Sequence, residues 1–445
     1  MILLQQENGA RITLGRVIAQ GGEGKIYTIV ENPALLAKIF HEPTTEKNAK
    51  LLAMLRNTPS DPTRSLGHIS IAWPVSRITD IHGRSIGFLL PYIHYGDNPE
   101  VKVFPLLKVY NPRDRKQTNL HFTWEYLLRM AHNLASAIEA LHSKGYVIGD
   151  LNESNILVTN TALVTLIDCD SIQVPVPHHQ SQKLLWWQKY FPCTVGKPEY
   201  TPPELHGRDF SVVKRRTYHD SFSLTVLIFL MLMEGRHPFA GVPQEDHGQL
   251  TLEQSIQHGY FPYAYPHLLK PPKNALPFNT LPPEVQKLMR RCFVTSCWSL
   301  GSWYPLAWYR PSARAWKLAL RDTEKHLVDC EYNDQHIYSD HLERCPWCER
   351  MRLGIPDPFP STRGTTKKLH RRKSNRNYYR RAITFSLSLI TVALYGLEIF
   401  SWHFYQQWFI RNSLQVRCII LLFLLAMPIV VSSIIYTRFR SRTRR

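Results

Sequence analysis

One stretch of 25 residues, Tyr146 to Asp170, constrains this chain more than any other: YVIGDLNESNILVTNTALVTLIDCD. Ile156–Val158 and Leu163–Ile167 are β-branched runs joined by a polar Thr-Asn-Thr turn, which predicts an antiparallel hairpin. Antiparallel pairing brings the two ends of such a hairpin together, so Asn155 at its entrance and Asp168 at its exit come out side by side. Asp150 lies just ahead of them. Two carboxylates and an amide at one end of a hairpin suit a divalent cation and a general base. The bland reading is a polar turn cluster, but the flanking strands are too apolar to carry two acids casually.

The preceding segments supply what such a site needs. Ile18–Val30 (IAQGGEGKIYTIV) places a glycine cluster between two β-prone runs, the pattern of a strand, a glycine turn and a strand. Glycines let backbone N–H groups come close to phosphate oxygens, although an ordinary hairpin would look the same. LLAKIF follows, an apolar strand with Lys38 at its centre, and a buried ammonium requires an anion. EPTTEKNAKLLAML reads as a helix with Pro43 near its start and Glu46 in its first turns. The next β-rich stretch turns at His82-Gly83. Residues 123–142 form an amphipathic helix, with Trp124, Leu127, Leu128, Ala131, Leu134, Ile138 and Leu141 recurring at three and four and Gly145 placed to end it. The apolar run Phe222–Met233 is only 12 residues, a buried core helix too short to cross a bilayer.

Taken together these residues resemble the protein-kinase fold over residues 12–322, within a divergent group of bacterial eukaryotic-like protein kinases, some of which carry Cys-rich and membrane segments. The resemblance implies an α+β, two-lobed architecture that uses ATP and Mg²⁺. Gly21 and Gly24 look like the second and third glycines of the phosphate loop, with Ala19 at the first. Lys38 matches the strand lysine that holds the α/β-phosphates. GDLNESN has the D-x4-N spacing of the catalytic loop, which makes Asp150 the base and Asn155 a magnesium ligand. Asp168 falls where the metal-binding aspartate of DFG lies. TPPE looks like the A-P-E element, with Glu204 a partner for Arg310, and Asp220 opens the central helix.

The departures are equally legible. Ile148-Gly149 replaces the His-Arg before the catalytic aspartate, which removes the cation that would grip a phosphorylated activation loop. Asn152 stands in place of the catalytic-loop lysine. Asp170 replaces the DFG glycine, giving D-x-D, and Glu46 follows Lys38 by a shorter interval than the family's usual one. A GDLxxxN followed by ID-x-D also resembles kinase-fold small-molecule phosphotransferases, but those lack A-P-E and the RPSA helix.

Residues 328–352 form a second unit. CEYNDQHIYSDHLERCPWC sets Cys345 and Cys348 in a C-x2-C knuckle, with Cys330 15 residues before. With one histidine these thiolates satisfy tetrahedral zinc in a structural role. His336 is preferred because HIYSDHL then folds back before the knuckle, and His341 is the other candidate. Redox use of C-x-x-C would need a βαβ setting, which the pattern lacks. The remaining cysteines read as thiols: Cys169, Cys292 and Cys297 as small core residues, Cys193 within the activation segment and Cys418 at the start of an apolar run. The chain opens without a secretory signal, so a reducing compartment is expected.

Charge and hydropathy set the C-terminal expectation. The net charge is +19, but nine Lys/Arg fall in residues 363–381 and five in 438–445, with no acid in either block. Everything else is only mildly basic, so the high pI is a poor argument for nucleic acid. Between the blocks, 382–404 and 418–437 are apolar runs close to the ~20 residues that span a bilayer. Their connector holds two arginines. The positive-inside bias then puts both flanks, the kinase-like region and both termini on the cytoplasmic side of the cytoplasmic membrane, with an α-helical transmembrane hairpin between. Residues 353–381 become a basic juxtamembrane linker and 438–445 a basic tail, with anionic lipid headgroups the simplest partner.

The expected function is a membrane-anchored Ser/Thr protein kinase acting on a protein substrate, with a structural zinc knuckle. A pseudokinase or nucleotide-binding membrane scaffold is the alternative, and a small-molecule phosphotransferase a weaker one. The oligomeric state is not legible.

Overall fold

A computed structural model of the chain describes residues 3–6, 9–93, 101–115, 122–176, 190–244, 250–294 and 309–362. Both apolar runs, most of the basic linker and the basic tail lie outside the described residues. Among the described residues no helix is long and apolar enough to cross a membrane.

The N-terminal part is a closed antiparallel barrel in the order β1-β2-β3-β4-β6-β5. Its strands are β1 (Leu3–Gln6), β2 (Arg11–Gln20), β3 (Gly24–Ile29), β4 (Leu35–Phe40), β5 (Ser76–Thr79) and β6 (Ser85–Pro91). β1 pairs with both β2 and β5 and so closes the barrel, which therefore reaches further towards the N-terminus than residue 12. Closure removes the exposed strand edges that an open sheet would leave. Ile12, Ile29, Ala37, Ile78 and Leu89 fill the interior. Between β4 and β5 runs helix α1 (Thr45–Arg56), capped at its N-terminus by the Thr44 hydroxyl, which accepts from the Lys47 N–H. Leu51, Ala53 and Met54 are its buried residues.

The larger part is helical. Helix α2 (Trp124–Ser143) has the expected apolar face fully buried and a Thr123 N-cap. It packs against α3 (Thr217–Leu232) and α5 (Ala313–Glu324). In α3 every residue from His219 to Leu232 is buried, which is why it carries no amphipathic pattern. Helix α4 (Pro283–Phe293) adds Leu288, Met289 and Phe293 to the same core. A small sheet, β7 (Val103–Pro105), β8 (Ile156–Thr159) and β9 (Val164–Leu166), lies on this body, and β8–β9 is the predicted hairpin.

One buried ion pair ties the start of α5 to the segment before α3. The Arg310 guanidinium meets the Glu204 carboxylate through two parallel bonds of 2.5 and 2.8 Å. Removing one partner strands a buried charge, at a cost of about 3–5 kcal/mol. Arg310→Leu should therefore lower the melting temperature sharply. Adding Glu204→Leu to it should recover part of the loss, which thermal unfolding of the two variants would show.

The Cys-rich segment is continuous with this core. Helix α6 (Pro346–Arg352) inserts Trp347 beside Trp124, with ring centroids 6.1 Å apart. Arg350 binds Glu234 and, at 2.9 Å, the Asn274 carbonyl oxygen. Phe359, at the start of the expected linker, is buried in the same cluster. The knuckle is thus built onto the helical body rather than strung beside it.

Candidate active site

The β8–β9 hairpin does what antiparallel pairing requires. Ile156 faces Leu166, and the Ile167 N–H donates to the Asn155 carbonyl oxygen at 2.9 Å, which places Asp168 beside Asn155. The Asn155 side-chain amide in turn donates to Asp150, to its carbonyl oxygen at 3.1 Å and its carboxylate at 3.4 Å. Asp150, Asn155 and Asp168 are therefore brought together. Asp168 sits in the left-handed region (φ 58°), a conformation costly for a residue with a side chain and commonly found where a carboxylate is aimed at a ligand.

Lys38 reaches this end of the hairpin from the barrel. Its Nζ lies 2.9 Å from Asp168 Oδ1 and 2.9 and 2.7 Å from the two oxygens of Asp170. Burial works against its charge, but Asp170 and then Asp168 outweigh that, so its pKa lies above the ordinary lysine value. Here are the anions that a lysine at the centre of an apolar strand required. Glu46 is not among them, being exposed in the first turn of α1.

The glycine turn lies two residues beyond Lys38, since Ile26 of β3 faces Lys38 of β4. The Gly21 N–H donates to the Gly24 carbonyl oxygen at 3.0 Å. A side chain at Gly21 would meet nothing, so its backbone is open to a ligand. Gly24 has a second reason to be glycine: a Cβ there would stand 2.3 Å from the Ile39 carbonyl oxygen.

The catalytic-loop departures acquire physical meaning. The Asp220 carboxylate, buried at the start of α3, accepts from the N–H groups of Ile148 and Gly149 at 2.7 and 2.8 Å and from His142 at 2.9 Å. That grip holds the loop just before Asp150. Gly149 has φ 76°, and a Cβ on it would lie 2.3 Å from the Arg215 guanidinium. Arg215 fills that space: it is buried, stacks 3.8 Å over Phe210 and donates to the Val195 carbonyl oxygen at 2.7 Å. A guanidinium from the far end of the activation segment thus stands against the loop, gripping a backbone carbonyl where a phosphate would otherwise be needed.

Asn152 is buried and donates to the Asp150 carboxylate at 2.9 Å. It orients the carboxylate without adding positive charge. The cation nearby is Lys197, which sequence reasoning passed over inside VGKPEY. Its N–H donates to Asp150 at 3.2 Å and its Nζ to Ser154 at 2.6 Å. Arg215 and Lys197 were not findable by spacing, because both reach the loop from 40 or more residues away.

The Cys-rich segment forms a separate centre. One ligand atom from each of Cys330, His336, Cys345 and Cys348 lies within 4.8 Å of the others. Cys330 Sγ and Cys348 Sγ are 3.5 Å apart, and His336 Nδ1 is 3.4 Å from both Cys345 and Cys348 Sγ. Tetrahedral zinc has S···S and S···N edges of about 3.8 and 3.5 Å, from its usual bond lengths. The donor set fits the ion. His336 Nε2 is held by Asp357 at 2.9 Å, the carboxylate–histidine arrangement that orients a metal ligand. His341 instead meets the Asn279 carbonyl oxygen at 3.0 Å.

Residues 95–298 match the model of the protein kinase domain. Protein kinase YegI of Escherichia coli K12 is 33% identical over 352 residues, 78% of this chain and 50% of its own length. Human serine/threonine-protein kinase 16 is 29% identical over 147 residues, 31% of this chain and 46% of its own. The human ribosomal protein S6 kinase alpha-3 is 27% identical over 207 residues, 45% and 23% respectively. The chain spans about half the length of YegI. These findings support a protein kinase enzyme of bacterial kinase-fold type.

Proposed function

We propose that this chain is a membrane-anchored Ser/Thr protein kinase that transfers the γ-phosphoryl group of ATP to a protein hydroxyl. The observation that carries the reading is the convergence of Lys38 from the barrel on Asp168, beside Asn155 and Asp150. Gly21 and Gly24 cover the phosphates and Lys38 orients them. Asn155 and Asp168 hold Mg²⁺, which when bound neutralises charge on the phosphate oxygens. Asp150, steadied by Asn152 and the Lys197 N–H, accepts the proton of the substrate hydroxyl. The Ser/Thr choice draws on the printed name of the human kinase 16 relative. Cys330, His336, Cys345 and Cys348 hold structural zinc.

The reading is tested by incubating the full chain with Mg²⁺ and γ-labelled ATP and following label on itself and on a generic basic protein. Label that depends on Mg²⁺ and disappears in Lys38→Met is expected. No label, with a Mg²⁺-dependent rise in melting temperature on adding ATP, would instead support the nucleotide-binding scaffold. Asn152, which stands where a lysine would contribute charge, is the feature that favours this second reading.

The membrane part rests on the two apolar runs, 382–404 and 418–437, and their basic flanks. The chain should remain with the membrane pellet after alkaline carbonate extraction, and deletion of 382–437 should release it. Extraction of the intact chain would remove the anchor from the proposal.

A further inference from the structure

Helix α1 brings no acid to Lys38. Its one carboxylate, Glu46, is exposed in the first turn. The residue that α1 turns towards the site is a cation, Lys50, whose charge is felt by Asp170, Glu23 of the glycine turn and Lys38 itself. Both bonds that hold Lys38 most closely come instead from Asp170, on the turn that also carries Asp168.

The two aspartates of D-x-D are not equivalent. The Asp168 side chain is 42% exposed and open to the cleft, whereas that of Asp170 is 11% exposed and closes on Lys38 with both oxygens. A half-exposed carboxylate is available to a cation entering with nucleotide. A buried one wrapped around an ammonium is already committed.

We propose that Asp170 is the positioning residue for Lys38, with Lys50 of α1 braced against the same carboxylate. The acid that aligns the phosphate-orienting lysine is carried by the metal-site turn, and α1 carries the counter-charge. Lys38 then stays aligned as long as the turn is intact, and displacement of α1 alone does not release it. This inference rests on the kinase reading for its consequence, but the ion-pair arrangement stands apart from it.

The experiment uses the full chain in two arms. In the first, melting temperatures are measured for Lys38→Met, Asp170→Asn, Asp168→Asn and the Lys38→Met pairings with each aspartate variant. Strong non-additivity for Lys38 with Asp170, and weak non-additivity with Asp168, is expected, because partners in one buried pair do not add. Additive effects for Lys38 with Asp170 would overturn the proposal whether or not the protein is a kinase. In the second, KM for MgATP and kcat are measured. Asp170→Asn should raise KM by about tenfold or more, the scale of one hydrogen bond to a charged group, with a smaller change in kcat. Glu46→Gln should change neither. Lys50→Glu added to Asp170→Asn, which moves the acid back to α1, should recover several-fold of the lost affinity. A double variant no better than Asp170→Asn, or Glu46→Gln as harmful as Asp170→Asn, would overturn the assignment. Absence of transfer in the parent protein would sink the kinase reading and leave the first arm to decide the ion pair.

Discussion

Asp150→Asn should abolish phosphoryl transfer, by about 10²–10⁴-fold, while leaving ATP affinity within about twofold. The size of the effect follows from what the carboxylate does. Asp150 faces the activation segment rather than Lys38, its oxygens meeting Asn152, Asn155 and the Lys197 N–H. It has no part in holding nucleotide. An amide keeps the shape and can still be held by its neighbours, but it cannot take a proton from a substrate hydroxyl. Rate and affinity should therefore separate, with kcat falling and the ATP dissociation constant unmoved. Asp168→Asn should act differently, weakening Mg²⁺-dependent nucleotide binding as well. Measuring transfer with labelled ATP, and binding by calorimetry, separates the two. Transfer surviving in Asp150→Asn would remove Asp150 as the base, and equal loss of transfer and binding in both variants would blur the roles given to them.

Removing zinc should unfold the Cys-rich segment and destabilise the helical body with it. Structural zinc sites contribute about 10–16 kcal/mol of apparent binding free energy in peptides, so the segment by itself depends on the ion. Here its contacts spread the loss. Trp347 packs on Trp124 of α2, Arg350 is bound to Glu234, Arg115 donates to the Pro358 carbonyl oxygen at 3.1 Å and stacks on Phe359. Freeing α6 would leave a cavity at Trp347 and an unpaired acid at Glu234. Treatment with a strong zinc chelator, or Cys348→Ser, should lower the melting temperature of the whole unit by roughly 10 °C or more. His336→Ala should match Cys348→Ser, and His341→Ala should come close to the parent protein. One zinc per chain by elemental analysis is the companion result. Absence of bound zinc, or a chelator with no effect on melting, would refute the structural role.

Much of this was legible in the residues because it depends on local chemistry. A hairpin must bring its ends together, so Asn155 and Asp168 could be paired from the sequence before any fold was known. A lysine in an apolar strand must meet an anion, and tetrahedral donors at C-x2-C spacing need only one more histidine. The sequence favoured His336 by the length of its return path. Geometry placed its Nδ1 against the thiols and added Asp357, which no spacing rule marks.

What the residues could not say was which groups meet across long stretches of chain. Barrel closure by Leu3–Gln6 depends on a strand too short to stand out, and its partner β5 lies some 70 residues on. Arg215 beside Gly149, Lys197 beside Asp150 and Asp170 around Lys38 are contacts set by how the lobes and the activation segment fold back. The sequence alone determined the elements, the hairpin-end carboxylates and the donor set of the Cys-rich segment, because each follows from periodicity, pairing or valence within a short span. Only the tertiary structure decided which charges face one another, since a charge is neutralised by whichever partner packing brings within about 3 Å and not by its neighbour along the chain.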